Sequence, residues 1–158
     1  MNASVNPFDD VHAVKCELAA EALHSSGFLR LQVTGWSMLP SVWPGDTLMV
    51  EKADHEAVCA GDIVLFARER RLFAHRVVTN PSGGGQLVTR GDAMPASDAP
   101  ISDGELLGKV ARIQRKGVWM KPSRNLGVAE RTVAALARRS QVAARMVVGL
   151  RGMQRASF

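Results

Sequence analysis

Tyrosine is absent from this chain, and all aromatics together make up 5% of it. The deficit does not extend to apolar residues in general: the hydrophobic share is 46% and the charged share 22%, ordinary values for a folded domain. Cysteine is scarce, at Cys16 and Cys59 only. Two thiols cannot build a disulfide framework, and they fit a reduced, cytosolic chain better. His55 and Cys59 stand at i, i+4 spacing, but two ligands are too few for a structural zinc site. No C-x-x-C accompanies them, so no metal is expected. No window reaches about 18 consecutive apolar residues, which excludes a membrane-crossing helix. The longest weakly apolar run, residues 142–150, is broken by Arg145. Residues 1–27 hold Asp9, Asp10, Lys15, Glu17 and Glu21 and offer no apolar core of an export signal. The expected location is therefore the cytoplasm.

With 158 residues the chain has about one domain's length and can bury a real core. Its net charge of +5 is unevenly spread. Residues 112–158 carry 11 Lys/Arg and one acid, Glu130, whereas residues 1–111 carry 9 Lys/Arg and 14 Asp/Glu. An acidic body with a basic tail points the tail toward something anionic, such as lipid headgroups, nucleic acid or an acidic partner. The plainer alternative is a solvated arginine-rich helix.

Residues 9–25 have the spacing of an amphipathic helix, with Asp9 or Asp10 as cap and Gly27 as stop. Val11, Val14, Leu18, Ala22 and Leu23 form the face expected to pack on the body. Short strands follow at 28–34, 47–50, 63–67, 72–79, 86–90 and 105–114. Trp43-Pro44-Gly45-Asp46 and Gly61-Asp62 mark turns, residues 69–71 reverse the chain into a hairpin, and Lys116-Gly117 turns it again. The two Gly-Asp turns are read as shared turn chemistry, not as a repeat. Residues 80–85 form a flexible loop by composition, 91–103 a loop rich in Asp, Pro and Ala, and 128–150 a helix by propensity. The expected fold is mainly β, a curled antiparallel sheet or partial barrel with flanking helices. The expected organisation is a helix at 1–27, a β domain at 28–121 and a basic helical tail at 122–158.

Two residues carry chemistry. Ser37 stands in Gly35-Trp36-Ser37-Met38-Leu39-Pro40, where a strand ends in a stiff turn. Glycine leaves room for a substrate carbonyl, and a fixed turn can aim both Oγ and backbone amides at it. His75 lies mid-strand in Ala74-His75-Arg76-Val77-Val78. A serine hydroxyl is a weak nucleophile until a base takes its proton, and imidazole, with an ordinary pKa of about 6.5, can do so near neutrality. A working imidazole needs an orienting acceptor, which Asp92, Asp98 or Asp103 could supply.

In order along the chain, four blocks resemble the superfamily of signal peptidases and LexA-type repressors. They are Gly35-Trp36-Ser37-Met38-Leu39-Pro40; Gly45-Asp46-Thr47-Leu48-Met49-Val50; Gly61-Asp62-Ile63-Val64-Leu65-Phe66 leading into His75-Arg76-Val77-Val78; and Arg90-Gly91-Asp92 with Asp98, closing on Leu107-Gly108-Lys109-Val110. The resemblance spans roughly residues 28–113. Within that superfamily, bacterial signal peptidases and LexA-like repressors use lysine as base. Histidine at position 75 looks like the endoplasmic-reticulum and archaeal branch, with its Ser-His-Asp set. The resemblance then implies Ser37 as nucleophile, His75 as general base, Asp98 as triad acid and Asp92 as its accompanying aspartate. Gly35, Trp36 and Met38 would border the oxyanion and substrate site. The implied substrate is a leader or signal-like peptide with small side chains before the cut, and no cofactor is implied.

Two departures stand out. Gly35 replaces the serine that many signal peptidases use in the oxyanion hole, which leaves backbone donors alone. The chain also lacks the expected anchor, so only the basic tail could hold it on the inner membrane surface, at about 1 kcal/mol per Lys/Arg. The competing reading is an inactive peptide-binding or LexA-like regulatory module. A DNA reader is disfavoured, because the N-terminal segment is too short for a helix-turn-helix.

Overall fold

The structure is a computed structural model that describes residues 7–79, 86–127 and 132–136. Helix α1 runs Pro7–Ser26, slightly longer than the sequence pattern suggests. Proline suits a first helical turn because its missing N–H would have no partner there. Gly27 ends the helix at φ +78°, its amide donating to the Leu23 carbonyl at 3.1 Å. The packed face keeps Leu23, as expected, but otherwise differs from expectation. Ala13, Ala19 and Leu23 are buried, whereas Val11, Val14 and Leu18 are more than half exposed. Small side chains let the helix backbone approach the sheet, and they outcompete the bulkier stripe for that position.

Seven strands follow: β1 Phe28–Gln32, β2 Thr47–Lys52, β3 Ile63–Arg68, β4 Arg71–Val77, β5 Thr89–Arg90, β6 Leu106–Arg115 and β7 Val118–Met120. They form one antiparallel sheet in the order β1-β2-β6-β3-β4-β5, with β7 also on β6. The sheet is open: it is neither closed nor strongly curled, which corrects the partial barrel expected from strand spacing. Among the described residues its end strands, β1 and β5, pair only with β2 and β4. Strand β5 has two residues, too few to carry a closing ladder. At the centre, β6 is long enough to pair with β2 along one edge and with β3 and then β7 along the other.

Both faces of the sheet are covered. Ile63 and Leu65 join Leu23, Met38, Leu48, Val50, Val110 and Ile113 in one cluster. Val64 and Phe66 point the other way, to Val58, Val77, Leu87, Ile101 and Leu106. That is why Ile63-Val64-Leu65-Phe66 is apolar without a break. The Gly-Asp turns share one geometry. In each, the aspartate amide donates to a carbonyl three residues back, and the carboxylate accepts from that residue's own amide. Each carboxylate also holds an arginine, Arg115 on Asp46 and Arg124 on Asp62. At the C-terminal end, residues 132–136 form a short helical turn containing buried Ala134. The rest of the helix expected at 128–150, and the glycine-rich loop at 80–85, lie outside the described residues.

Candidate active site

Ser37 opens the turn after β1. Leu39 donates to the Trp36 carbonyl at 3.1 Å and Val42 to the Met38 carbonyl at 3.0 Å, which winds the chain tightly. Met38 and Leu39 are buried and anchor the turn from below, leaving Ser37 half-exposed on its crest. A second segment clamps it: the Ala93 amide donates to the Ser37 carbonyl at 2.9 Å. Gly91 makes this approach feasible, since a Cβ there would lie 2.6 Å from the Ser37 carbonyl oxygen and 2.7 Å from Met94 Cγ.

His75 sits on β4 with its side chain 6% exposed. Phe66 and Phe73 flank the ring, each with its centroid 5.9 Å away. Their packing leaves the imidazole little rotational freedom. Its Nε2 lies 3.0 Å from Ser37 Oγ, and its Nδ1 lies 2.7 Å from Asp98 Oδ2. With the Nδ1 proton donated to the carboxylate, Nε2 presents a lone pair to the serine hydroxyl. Asp98 is a quarter exposed. Burial alone pushes its carboxyl up. Hydrogen bonds from His75 and Thr89, with the charges of His75 and Arg68, more than offset that and hold it below its ordinary value.

The three candidate acceptors separate cleanly. Asp98 faces His75. Asp92 is buried and accepts from Arg76 Nε and Nη2, both at 2.8 Å, and from the Ser41 hydroxyl. Asp103 pairs with His55 at 3.0 Å, its side chain 99% exposed. Asp92 is thus a scaffold group: it ties β4 to the serine turn through Arg76 and Ser41. The sequence-derived border residues also divide. A Cβ on Gly35 would meet nothing within 4 Å, so the space beside it is open. Trp36 is half-buried against Leu39 and Ala93 and stiffens the turn. The Met38 side chain is in the core, so only its backbone is available at the surface. The amides of Ser37 and Met38 donate to no protein acceptor among the described residues, which leaves two N–H groups beside the hydroxyl for a carbonyl oxygen.

Two contributors escaped the sequence reading. Arg68 makes a bidentate pair with Glu105 and donates to the carbonyls of Ala99 and Pro100, stapling the loop that carries Asp98. The Glu105 carboxyl drops to about 2, mainly through the Arg68 hydrogen bond and then the Ser102 amide. Thr89, fully buried, donates to Asp98 Oδ2 at 2.7 Å. Its position directly before Arg90-Gly91-Asp92, across from the histidine strand, was the available signal. No group of three His, Cys, Asp or Glu side chains that could hold a metal occurs among the described residues. Nor is any helix there long and apolar enough to cross a membrane.

The family model described as Peptidase S24-like matches residues 5–111. No curated protein matches the chain.

Proposed function

Because this chain belongs to the Peptidase S24-like family, we propose that it is a serine endopeptidase of the signal peptidase type, acting on a leader or signal-like peptide. The observation that carries the reading is the chain of hydrogen bonds Ser37–His75–Asp98, at 3.0 and 2.7 Å. Ser37 Oγ attacks the scissile carbonyl carbon while His75 Nε2 takes the hydroxyl proton. Asp98 holds the ring in the needed tautomer and stabilises the imidazolium. The oxygen of the tetrahedral adduct accepts hydrogen bonds from the amides of Ser37 and Met38, a contribution of roughly 10²–10³ in rate per donor. Collapse expels the amine, which leaves with the proton from Nε2. Water, deprotonated by the same nitrogen, attacks the acyl carbon; the bond to Oγ breaks, Oγ takes the proton back from Nε2, and the acyl product leaves as its carboxylate. The histidine base supports the Ser-His-Asp branch over the lysine-dependent one. The open space at Gly35 and the half-exposed serine suit an extended peptide with small side chains next to the cut. The basic segment from residue 112 onward suits contact with an anionic surface, with the enzyme at the inner membrane face.

The test is to incubate wild type and Ser37→Ala with a defined mixture of peptides bearing small residues at many positions, and to weigh the products. Cleavage by wild type alone is expected. Equal cleavage by both proteins refutes the reading, and tight peptide capture without cleavage favours the inactive-module alternative.

A further inference from the structure

The contacts Ser37–His75–Asp98 do not by themselves aim the aspartate. Asp98 lies on an exposed loop between Ser97 and Ala99, and its side chain is a quarter open to solvent. A carboxylate there can rotate and take water in place of the imidazole. Thr89 opposes this from two directions. The Asp98 amide donates to the Thr89 carbonyl at 2.8 Å, and the Thr89 hydroxyl donates to Asp98 Oδ2 at 2.7 Å. The two bonds grip the aspartate by backbone and side chain. The oxygen that Thr89 selects is the one that accepts the His75 Nδ1 proton.

Register explains the placement. Thr89 pairs with Val77 across β4 and β5, and Val77 and His75 are two residues apart on one face of the pleat. The Thr89 hydroxyl therefore emerges beside the imidazole. At 0% exposure it has no water to compete for it, and its β-branch restricts χ1. Two donors converge on one oxygen, which fixes both the torsion of the carboxylate and the direction of the acceptor.

We propose that Thr89 is the positioning residue of the catalytic set, holding Asp98 Oδ2 on His75 Nδ1 so that Nε2 stays aimed at Ser37. This inference rests on the serine-peptidase reading, and its test separates the two. The protein is treated with a fluorophosphonate, and kinact and KI for Ser37 are measured in wild type, Thr89→Val, Thr89→Ser and Thr89→Ala. In parallel, the low-field proton NMR signal of the His75 Nδ1–H is followed. Valine keeps the volume and removes only the donor. We expect kinact to fall about tenfold or more with KI unchanged, the low-field signal to broaden or vanish, and Thr89→Ser to restore most of both. Should Thr89→Val fail to fold, the Ser/Ala pair, which differs by the hydroxyl oxygen alone, reads the same bond. Unchanged kinact and a persistent signal in the donor-less variants overturn the proposal, as does a change confined to KI or a Thr89→Ser no better than Thr89→Ala. If wild type is not labelled at all, the peptidase reading fails, while the NMR comparison still decides whether Thr89 orients Asp98.

Discussion

Two glycines near the serine make opposite predictions. Gly91 sits under Ser37, where an added Cβ would press on that residue's carbonyl at 2.6 Å and on its own Cβ at 3.1 Å. Gly91→Ala is expected to cost about 1–3 kcal/mol by overpacking and to displace Ser37, so its labelling should slow as stability falls. Gly35→Ala meets no protein atom within 4 Å. Its stability should stay within about 0.5 kcal/mol of wild type, and any lost activity comes from intrusion on substrate. Urea denaturation and fluorophosphonate labelling read the two quantities separately. The aspartates divide in the same way. Asp98→Asn should remain folded yet lose about 10³–10⁴ in rate, because the wrong ring tautomer is favoured. Asp92→Ala strands the buried Arg76 guanidinium and should cost about 3–5 kcal/mol. The blocks around Ser37 and His75 pointed to both residues, and the resemblance singled out Asp98, the aspartate that faces His75. Spacing alone left Asp92, Asp98 and Asp103 open, because all three occupy one loop.

At the level of elements, the strands of the sheet were readable from alternation and turn residues; their bounds shift by a residue or two, except that β5 starts three residues later than expected, at Thr89. Strand β7 was missed because three residues carry no period. Its only signal was the Lys116-Gly117 turn, whose residues have φ +51° and +81°. The face of α1 was assigned correctly at Leu23 and wrongly at Val11, Val14 and Leu18. Those three satisfy helical spacing as well as Ala13 and Ala19 do, and size favoured them. Contact with a sheet rewards small side chains that shorten the distance, a preference periodicity does not contain. The consequence is measurable: Leu18→Lys should change stability by no more than about 0.5 kcal/mol, whereas Leu23→Ala should lose about 2–5 kcal/mol. Equal losses would contradict the observed face.

Over the whole molecule, the β-rich class and the order of blocks followed from sequence, but openness of the sheet did not. Strand count and spacing are shared by open sheets and barrels, and the outcome depends on whether the end strands meet. The loop bearing Asp98 is held by Arg68 and Glu105, and this has a pH signature. The folded Glu105 carboxyl titrates at about 2, below the ordinary glutamate value of about 4.3. A lowered folded pKa gives stability that is present above the unfolded value and lost as pH falls through the folded one. Wild type should therefore lose stability between about pH 4.5 and 2 more steeply than Glu105→Gln, as urea denaturation across that range would show.

The central claim is that His75 activates the Ser37 hydroxyl. The most direct measurement is peptide-level mass spectrometry after fluorophosphonate treatment of wild type and His75→Ala. The account predicts one modified serine, Ser37, in wild type, with labelling in His75→Ala slowed by about 10²-fold or more. No adduct at Ser37, or an adduct that forms equally fast without the imidazole, would contradict it.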